Sequence, residues 1–378
     1  TSKASCEIWS DRDTIGPRCS VIFLGELGLK LTLYHVIMST IEDGVYTRTE
    51  SKLRKQAEEA VEKLYGAHKA FIVPSGTSAI STTITAVLKC GIERFIVGNE
   101  TFGATYPTIT YVADGKSVEK FDPQRVISKD HAPIPLCIFV ESCSNPHRYV
   151  PDFEGLKSLK GQTAGSLLIV DNTWCTALSF NPFSMGADIV IESAAKYLTD
   201  GKSHGGIIVM SDYAAPGLQD AVKMAIGRHG LHVAESACRA IIKGVDSLRS
   251  RIVALHICTQ RFIETLMHEQ GTAIRVWHPF LTSAETADKY LEFWPSCFVI
   301  GIKQGAACTK RQFRTAVLNV CEELGIPVIT SFGGCINRVD PYTIKTRTID
   351  ETVYGLIRVS IDCNPDVMHE LVRKVRLL

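Results

Sequence analysis

Six short apolar segments constrain the fold of this chain more than any other feature. Helical or turn-like sequence separates each segment from the next. They are AFIV at 70–73, FIV at 95–97, LCIFV at 136–140, LLIV at 167–170, DIVI at 188–191 and GIIVM at 206–210. Continuous apolar runs, unlike alternating ones, are typical of strands that are buried on both faces. We therefore predict an α/β fold with a mostly parallel sheet that helices cover.

The sequence on either side of this strand-rich region has a different character. From residue 49, TESKLRKQAEEAVEKLYG places apolar residues near one face and ends at Gly66, which predicts a helix. After about residue 247, long helical stretches surround FWPSCFVIGIK, which suits a smaller C-terminal α+β domain. We expect an irregular N-terminal region at 1–48, a large domain at 49–247 and a small domain at 248–378.

Charge and composition exclude several classes of protein. The 378 residues carry a formal net charge of +1, and 45% hydrophobic with 21% charged residues is an ordinary globular balance. Since the chain has no long basic block, we expect neither nucleic acid nor an anionic membrane surface as a partner. The most apolar early segment, 21–38, contains Glu26, Lys30 and His35, so we predict no membrane span.

The chain contains 13 scattered cysteines. They form no C-x-x-C pair and no grouping with histidine at the spacing of a zinc site, so we predict no metal. Reduced, mostly buried thiols are expected of a protein in the cytoplasm. No secretory signal pattern is present at the start of the sequence, which agrees with a cytoplasmic location.

Small polar residues follow the first predicted strand. Ligands of open α/β sheets bind outside the carboxyl ends of the strands, so this position is informative. The turn Ser75-Gly76-Thr77 leads into a helix-like stretch and exposes backbone N–H groups at the positive end of the helix dipole. Such a turn is typical of a phosphate cradle. An ordinary capped turn between strand and helix is the alternative.

Two later strands are followed by charged residues. Asp171 follows LLIV, and a buried aspartate needs an N–H or cationic partner such as a protonated pyridine nitrogen. A helix cap or a structural salt bridge is the alternative. Lys196 follows DIVI after four small or acidic residues, and partial desolvation there lowers the pKa of a lysine and makes its amine nucleophilic. A surface lysine is the alternative.

Together the three motifs predict a pyridoxal phosphate site. The cradle would hold the phosphate, Asp171 would keep the ring nitrogen protonated, and Lys196 would form the Schiff base. A nicotinamide site would need G-x-G-x-x-G and a P-loop would need G-x-x-x-x-G-K-[ST], and the sequence contains neither.

Nine longer motifs carry a resemblance to a known family. They are YTR at 46–48, YGAHKAFIVPSGTSAI at 65–80, FGATY at 102–106, ESCSNP at 141–146, VDNTW at 170–174, ESAAKYLTDG at 192–201, GVDSLRSR at 244–251, SFGGC at 331–335 and GLIRVSIDCN at 355–364. In this order they resemble the Cys/Met-metabolism enzymes that depend on pyridoxal phosphate, which include cystathionine γ-synthase, the cystathionine lyases and methionine γ-lyase. The resemblance implies fold type I, similar to aspartate aminotransferase. That fold has a large domain with a mostly parallel seven-stranded sheet and a smaller C-terminal α+β domain.

The resemblance also implies a cofactor, pyridoxal 5′-phosphate, and residues that hold it. Lys196 is the implied Schiff-base lysine and proton shuttle, and Asp171 is the implied partner of the pyridine nitrogen. Phe102 takes the place of the residue that stacks on the ring, and Asn145 lies near the ring hydroxyl. The implied phosphate ligands are Ser75, Gly76, Thr77 and Ser193.

Substrate and partner follow from the same resemblance. Ser331 and Arg358, together with Asn145, would hold the α-carboxylate of an amino-acid substrate, and a guanidinium can bind a carboxylate with two hydrogen bonds. Tyr46 and Arg48, in an N-terminal arm at 1–48, would reach the phosphate in a neighbouring subunit. A shared site of this kind implies a homo-oligomer, either a dimer or a tetramer built from such dimers.

Four departures from the family pattern affect the expected reaction. Phe102 replaces a tyrosine and has no hydroxyl for proton transfer. Ala195 replaces a threonine and removes a hydrogen bond to the phosphate, and the Asn-Pro-Thr that usually follows the arm is missing. Ile336 stands where cystathionine-processing enzymes have a glutamate for the distal amino group. Losing that charged hydrogen bond costs about 1.5–3 kcal/mol, which argues against cystathionine as substrate.

We therefore predict β/γ-elimination or γ-replacement on an amino acid. The enzyme would be a C–S lyase acting on a sulfur amino acid, or a synthase that uses an activated homoserine. One alternative is a γ-replacement enzyme of a specialised biosynthetic pathway. Another is a catalytically impaired relative that binds the cofactor without turnover, and a third is an aminotransferase.

Overall fold

Seven strands form the larger of two sheets in the computed structural model of the chain. The structure describes residues 51–66, 69–126, 134–214, 217–304, 308–334, 336–341 and 354–376. The strands are β1 (Lys69–Val73), β2 (Arg94–Gly98), β3 (Ser117–Phe121), β4 (Leu136–Glu141), β5 (Leu167–Asp171), β6 (Ile189–Ser193) and β7 (Gly206–Met210). They are arranged side by side in the order β1-β7-β6-β5-β4-β2-β3.

The sheet is mostly parallel, as predicted. Strands β3, β2, β4, β5 and β6 run parallel to one another, whereas β7 is antiparallel to β6 and to β1. All six apolar segments are strands of this sheet. The seventh strand, β3, has no apolar run because it lies at the sheet edge with mostly exposed polar side chains.

Helices cover both faces of the sheet. They are α1 (Lys52–Tyr65), α2 (Gly76–Lys89), α3 (Thr105–Ala113), α4 (Phe153–Gly161), α5 (Thr176–Ser179) and α6 (Leu218–Arg228). Alternate residues of β1 enter two separate cores, with Ile72 in one and Phe71 in the other. Both faces of the strands are therefore buried, which explains why their sequences are continuously apolar. Each fully buried Ile, Val, Leu or Phe side chain contributes about 1.5–3 kcal/mol.

The predicted helix after residue 49 is confirmed as α1. Its N-cap is Ser51, whose side chain accepts a hydrogen bond from the Arg54 N–H at 3.2 Å. Gly66 ends it in the left-handed region, at φ 89°, a backbone conformation that favours glycine because no Cβ is present to clash.

A long helix, α7 (Glu235–Gln270), leads to the second sheet. The strands of this sheet are β8 (Ile274–Trp277), β9 (Cys297–Lys303), β10 (Arg338–Asp340) and β11 (Tyr354–Ser360), all antiparallel in the order β10-β11-β9-β8. Its helices are α8 (Pro279–Thr282), α9 (Ala284–Tyr290), α10 (Lys310–Glu323) and α11 (Asp366–Arg376). This arrangement confirms the smaller C-terminal α+β part of the predicted fold.

The predicted division into domains stays a prediction. All described residues belong to one compact unit, Arg48–Leu378, and the predicted boundary after residue 247 falls within α7. The N-terminal arm at 1–48, with Tyr46 and Arg48, and the apolar segment at 21–38 lie outside the described residues. None of the helices in the described ranges is both long and apolar enough to cross a membrane.

Candidate active site

A cavity of about 360 Å³ lies where several strands of the larger sheet end. Residues after β1, β4, β5 and β6 line one side of it, and residues around β10 and β11 line the other. Ten predicted site residues line the cavity: Ser75, Gly76, Thr77, Phe102, Asn145, Asp171, Ser193, Lys196, Ser331 and Arg358. The structure therefore brings together every predicted site residue that it describes. Tyr46 and Arg48 lie outside the described residues.

The turn after β1 leaves two backbone donors free. Ser75 caps helix α2, because its Oγ accepts from the Ser78 N–H at 3.0 Å. The N–H groups of Gly76 and Thr77 have no acceptor among the described residues. A Cβ on Gly76 would lie only 2.9 Å from the Ser193 Cβ, so glycine allows the turn to approach β6 closely. Two free N–H groups at the start of a 14-residue helix form an anion cradle.

Asp171 ends β5 with one carboxylate oxygen still free. Its Oδ1 accepts hydrogen bonds from the Thr173 N–H at 3.0 Å and from Thr173 Oγ1 at 2.5 Å. Its Oδ2 has no partner among the described residues. Burial raises the pKa of Asp171, and the bonds from Thr173 counteract this rise. A cationic donor in the cavity would stabilise the ionised form.

Lys196 follows β6 and carries its amine into the same cavity. Its Nζ donates to Ser331 Oγ at 2.9 Å and lies 5.3 Å from the centre of the Phe332 ring. Gly333, at φ 75°, passes so close to the Lys196 backbone that a Cβ on it would lie 2.6 Å from the Lys196 carbonyl carbon. Burial, followed by repulsion from Arg358, lowers the pKa of the Lys196 amine. The amine is therefore more readily neutral than that of a surface lysine.

Glu141 lines the cavity as well, and it is a functional residue that sequence reasoning missed. It ends β4 directly beside Asp171 in the register of β4 and β5. Its Oε1 accepts from the Phe102 N–H, and its Oε2 accepts from Trp174 Nε1 at 2.8 Å. Burial, followed by repulsion from Asp171, raises the pKa of Glu141 to about 8. Glu141 therefore fixes the backbone at Phe102 relative to the end of β5.

Three side chains from distant segments of the chain stack on one another at the cavity, where Trp174 and Phe332 form part of the lining. Trp174 and Phe332 are parallel, with ring centres 4.0 Å apart and an interplanar angle of 7°. The guanidinium of the fully buried Arg148 lies 3.7 Å from the centre of the Trp174 ring. Flat stacking and cation–π contact both stabilise such a column. The column joins the ends of β4 and β5 to the segment that carries Ser331.

The loop that carries Asn145 is held by Glu100. The Asn145 N–H donates to the backbone carbonyl of Glu100 at 3.2 Å, and Ser144 Oγ donates to the Glu100 carboxylate at 2.9 Å. His147 Nδ1 is in hydrogen-bond contact with the same carboxylate, and this contact lowers the pKa of Glu100 against the effect of burial. Glu100 therefore positions the loop that carries Asn145, while Phe102, two residues after Glu100, is half exposed.

Arg358 is oriented by a buried carboxylate. Its Nη2 donates to Asp340 Oδ2 at 2.8 Å and to the Thr330 carbonyl at 2.7 Å. The two residues face each other across the β10–β11 pair. The Nε and Nη1 groups of Arg358 have no acceptor among the described residues. These donors can bind a carboxylate in the cavity.

Besides Phe102, two further departures from the family pattern can be located in the structure. Ala195 lines the cavity without a hydroxyl, while the nearby Thr173 Oγ1 accepts from the Ser193 N–H at 2.8 Å. Ile336 is half exposed and is not among the described residues that line the cavity. Arg338, two residues later, does line it. Sequence reasoning missed Arg338, because its orientation depends on the register of β10.

These features fit pyridoxal phosphate. The free N–H groups of Gly76 and Thr77 suit its phosphate, the free Oδ2 of Asp171 suits a protonated ring nitrogen, and the desolvated amine of Lys196 suits its aldehyde. All three groups face one cavity. Fold and site together define an enzyme of fold type I that depends on pyridoxal phosphate.

The chain belongs to the family of Cys/Met metabolism PLP-dependent enzymes, which it matches over residues 35–353. Pyridoxal phosphate is the cofactor of this family. The chain is 25% identical over 346 residues to an L-methionine gamma-lyase of Porphyromonas gingivalis, covering 85% of this chain and 82% of that protein. It is 27% identical over 260 residues to an O-succinylhomoserine sulfhydrylase of Pseudomonas aeruginosa, covering 64% of this chain and 60% of that protein.

A solved structure has the same fold. Apo CalE6, a methionine gamma lyase from Micromonospora echinospora, superposes with a TM-score of 0.74 at 19% identity, and the match covers 87% of each chain. The prediction of fold type I is thereby confirmed, as are the predicted family and cofactor.

Proposed function

We propose that this protein catalyses elimination or replacement at Cβ or Cγ of an amino acid, as a carbon–sulfur lyase or a γ-substituting transferase. The observation that supports this function most directly is the position of Lys196. Its amine is partly buried, has a lowered pKa and donates to Ser331 Oγ at 2.9 Å in the cavity that Asp171 and Arg358 also line. A poised amine beside a carboxylate-binding group is what removal of an α-proton requires.

Seven described residues besides Lys196 would hold the cofactor. The N–H groups of Gly76 and Thr77 and the hydroxyl of Ser193 would bind the phosphate, with Ser75 fixing the turn. Asp171 would bind the ring nitrogen, and Phe102 would cover the ring, with Asn145 near its hydroxyl. When bound, pyridoxal phosphate supplies an aldehyde for the substrate amine and a protonated ring that accepts electrons from the α-carbon.

The remaining residues would bind the substrate and move protons. Arg358 would bind the α-carboxylate through Nε and Nη1, which Asp340 leaves free, and Ser331 and Asn145 would assist. This contact would orient the α-hydrogen towards the Lys196 amine. Phe102 has no hydroxyl, so Lys196 would also carry the proton between Cα and the side-chain carbons.

The proposal excludes cystathionine as a substrate. Its distal ammonium group would find no free carboxylate side chain to pair with in the described part of the cavity. Among the described residues, the carboxylates that line the cavity are Glu141 and Asp171. Both carboxylate oxygens of Glu141 already accept hydrogen bonds, from the Phe102 N–H and from Trp174 Nε1. Asp171 would bind the cofactor ring. Relatives named as a methionine gamma-lyase and an O-succinylhomoserine sulfhydrylase support a substrate whose leaving group is attached at the γ-carbon.

A homo-oligomer with shared sites is part of the proposal, as is a cytoplasmic location. Tyr46 and Arg48 would complete the phosphate site of a neighbouring subunit. Mixing refolded Lys196→Ala and Arg48→Ala subunits tests this. Two inactive variants should regain activity on mixing, because a hybrid dimer contains one intact site. Activity that stays absent in verified hybrids would argue for a site built from one chain.

A substrate screen tests the reaction. The protein is loaded with pyridoxal phosphate and offered cysteine, methionine, cystathionine and O-acetylhomoserine, and 2-oxoacid and ammonia are measured. We expect both products from at least one of these substrates other than cystathionine, and none from Lys196→Ala. Lys223→Ala, on the exposed face of α6, is the matched control and should stay active. Cofactor binding without any turnover would indicate an impaired relative, and formation of pyridoxamine phosphate an aminotransferase.

A further inference from the structure

A buried carboxylic acid lies on the reverse side of the strand that carries Ser193. Glu192 belongs to β6, directly before Ser193, and none of its surface is exposed. Val190 belongs to the core that contains Tyr65, and Ile191 belongs to the other core. Since side chains alternate along a strand, Glu192 faces the core of Val190. It lies behind the active-site cavity and is not among the described residues that line it.

Two polar side chains meet Glu192 in this core. The Tyr65 hydroxyl, at the end of α1, donates to Glu192 Oε2 at 2.7 Å and accepts from Asn172 Nδ2 at 3.3 Å. Asn172 Nδ2 also donates to the Phe180 carbonyl at 2.8 Å. Tyr65 and Asn172 are fully buried, as Glu192 is. Tyr65, Glu192 and Asn172 together form what we call the rear network.

The rear network connects two segments that carry proposed cofactor ligands. Asn172 directly follows Asp171, the proposed partner of the ring nitrogen, and Glu192 directly precedes Ser193, a proposed phosphate ligand. The Asn172 N–H donates to the Ile191 carbonyl at 2.7 Å, which joins the ends of β5 and β6. The rigid ring of pyridoxal phosphate holds its nitrogen and its phosphate a nearly constant distance apart. The two strand ends must therefore keep a matching separation.

Glu192 is better accommodated as a neutral acid than as a carboxylate. Among the described residues it has no ion-pair partner, and its Oε1 is buried without a hydrogen bond. The titratable groups that act on it are Tyr65, from α1, and Asp171, from β5. Burial raises the pKa of Glu192 to about 8, the Tyr65 hydroxyl opposes this rise, and repulsion from Asp171 adds to it. A neutral acid avoids an uncompensated buried charge.

We propose, building on the cofactor roles proposed above, that Tyr65, Glu192 and Asn172 are positioning residues for pyridoxal phosphate. Neutral Glu192, bound by the Tyr65 hydroxyl, fixes the ends of β5 and β6. Asp171 and Ser193 can then meet the ring nitrogen and the phosphate of one cofactor molecule. The rear network acts through these two residues and does not touch the cofactor. No bond changes in this role.

The first test measures cofactor affinity in variants that break the network. Tyr65→Phe leaves Glu192 Oε2 without its donor, and Glu192→Met leaves the Tyr65 hydroxyl without its acceptor. Each change leaves a buried polar group unpaired. We therefore expect the affinity for pyridoxal phosphate, measured by fluorescence titration at pH 6.5, to fall roughly fivefold or more.

Ser166→Ala is the matched control for this loss. Ser166 is also buried, and its Oγ accepts from the Leu136 N–H at 3.0 Å. This contact lies where β4 and β5 begin, at the opposite edge of the same sheet. Losing it removes a comparable buried hydrogen bond away from the cofactor. The affinity of Ser166→Ala should change by less than about twofold.

The second test uses a neutral analogue of the protonated acid. Glu192→Gln keeps an acceptor for Tyr65, so its affinity at pH 6.5 should lie within about twofold of the wild type. At pH 9 the wild-type Glu192 ionises, and its charge opposes the phosphate dianion beside Ser193. The affinity of the wild type relative to Glu192→Gln should fall roughly threefold or more between these pH values. Titration of Lys196 and of the cofactor cancels in this ratio.

Three outcomes would overturn the proposal. They are unchanged affinity in Tyr65→Phe and Glu192→Met, an equal loss in Ser166→Ala, and a ratio of wild type to Glu192→Gln that is constant with pH. A lower melting temperature with unchanged affinity would leave the rear network a purely structural role. If Tyr65→Phe and Glu192→Met do not fold, the ratio decides alone. A wild-type protein that bound no pyridoxal phosphate would overturn the roles of Asp171 and Ser193 as well.

Discussion

Lys196 and Ser331 are joined by a hydrogen bond of 2.9 Å between Nζ and Oγ, although 135 residues separate them in the sequence. Lys196 follows the last parallel strand of the larger sheet, and Ser331 precedes the first strand of the β10–β11 pair. The bond fixes the amine in the cavity at the position where the two parts of the site meet. The proposed proton transfers depend on that position.

Removing the Ser331 hydroxyl should weaken catalysis moderately. A hydrogen bond of this kind contributes about 0.5–1.5 kcal/mol, so we expect kcat/KM of Ser331→Ala to fall roughly 2- to 12-fold. Ser331→Thr keeps the hydroxyl and should retain most of the activity. Steady-state kinetics on the best substrate of the screen is the measurement. Indistinguishable kinetics for Ser331→Ala would mean that the amine is positioned by other contacts.

Asp171→Asn should have a much larger effect. The substitution removes the negative charge that would hold the ring nitrogen protonated, while the Thr173 donors and the shape of the site remain. Loss of one such preorganised group lowers kcat roughly 100- to 1,000-fold. Cofactor content is measured in parallel, so that slow chemistry is separated from empty protein. A variant with full cofactor content and near-normal kcat would remove Asp171 from its proposed role.

Gly76→Ala should reduce the affinity for the cofactor by roughly tenfold or more, because the new methyl group would lie 2.9 Å from the Ser193 Cβ and displace the cradle. Gly227→Ala is the matched control, since a Cβ there meets no atom within 4 Å. Fluorescence titration with pyridoxal phosphate compares the two. Equal affinities for the two variants would place the phosphate away from the turn after β1.

Glu192 should make stability depend on pH. It is a fully buried residue of β6 whose carboxylate accepts from the Tyr65 hydroxyl at 2.7 Å, and burial raises its pKa to about 8. Since the folded pKa lies above the unfolded value, its contribution is fully present below about pH 4.5 and is lost as pH rises through 8. We expect the free energy of unfolding of the cofactor-free protein to fall between pH 5 and 8 by roughly 3–4 kcal/mol from this group.

Glu192→Gln tests the assignment, because a glutamine has no proton to lose. Urea titrations at pH 5 and pH 8 should show a smaller difference in the free energy of unfolding for the variant than for the wild type. Equal differences would mean that Glu192 does not hold a proton in the folded state.

The residues at strand ends could be predicted from the sequence because parallel strands bring their carboxyl ends to one edge of the sheet. Asp171 and Lys196 each follow a buried apolar run, so their proximity follows from the fold class alone. Glu141 follows such a run too, but its importance depends on β4 lying directly beside β5. That strand order is not visible in the sequence.

Other features depend on register and on tertiary contact. Arg338 and Arg358 look alike in the sequence, and only the pairing of β10 with β11 assigns Asp340 to one of them. The column of Arg148, Trp174 and Phe332 joins three segments that no local pattern connects. Strand β3 was not predicted from the sequence, because an exposed strand at the sheet edge has no continuous apolar run.

The attachment of the cofactor to Lys196 is the central claim and has a direct measurement. The loaded protein is reduced with borohydride, digested and analysed by mass spectrometry for a phosphopyridoxyl group. The group should appear on the peptide that contains Lys196 and be absent from Lys196→Ala. A label on another lysine, or an unlabelled protein that nevertheless binds the cofactor, would contradict the account.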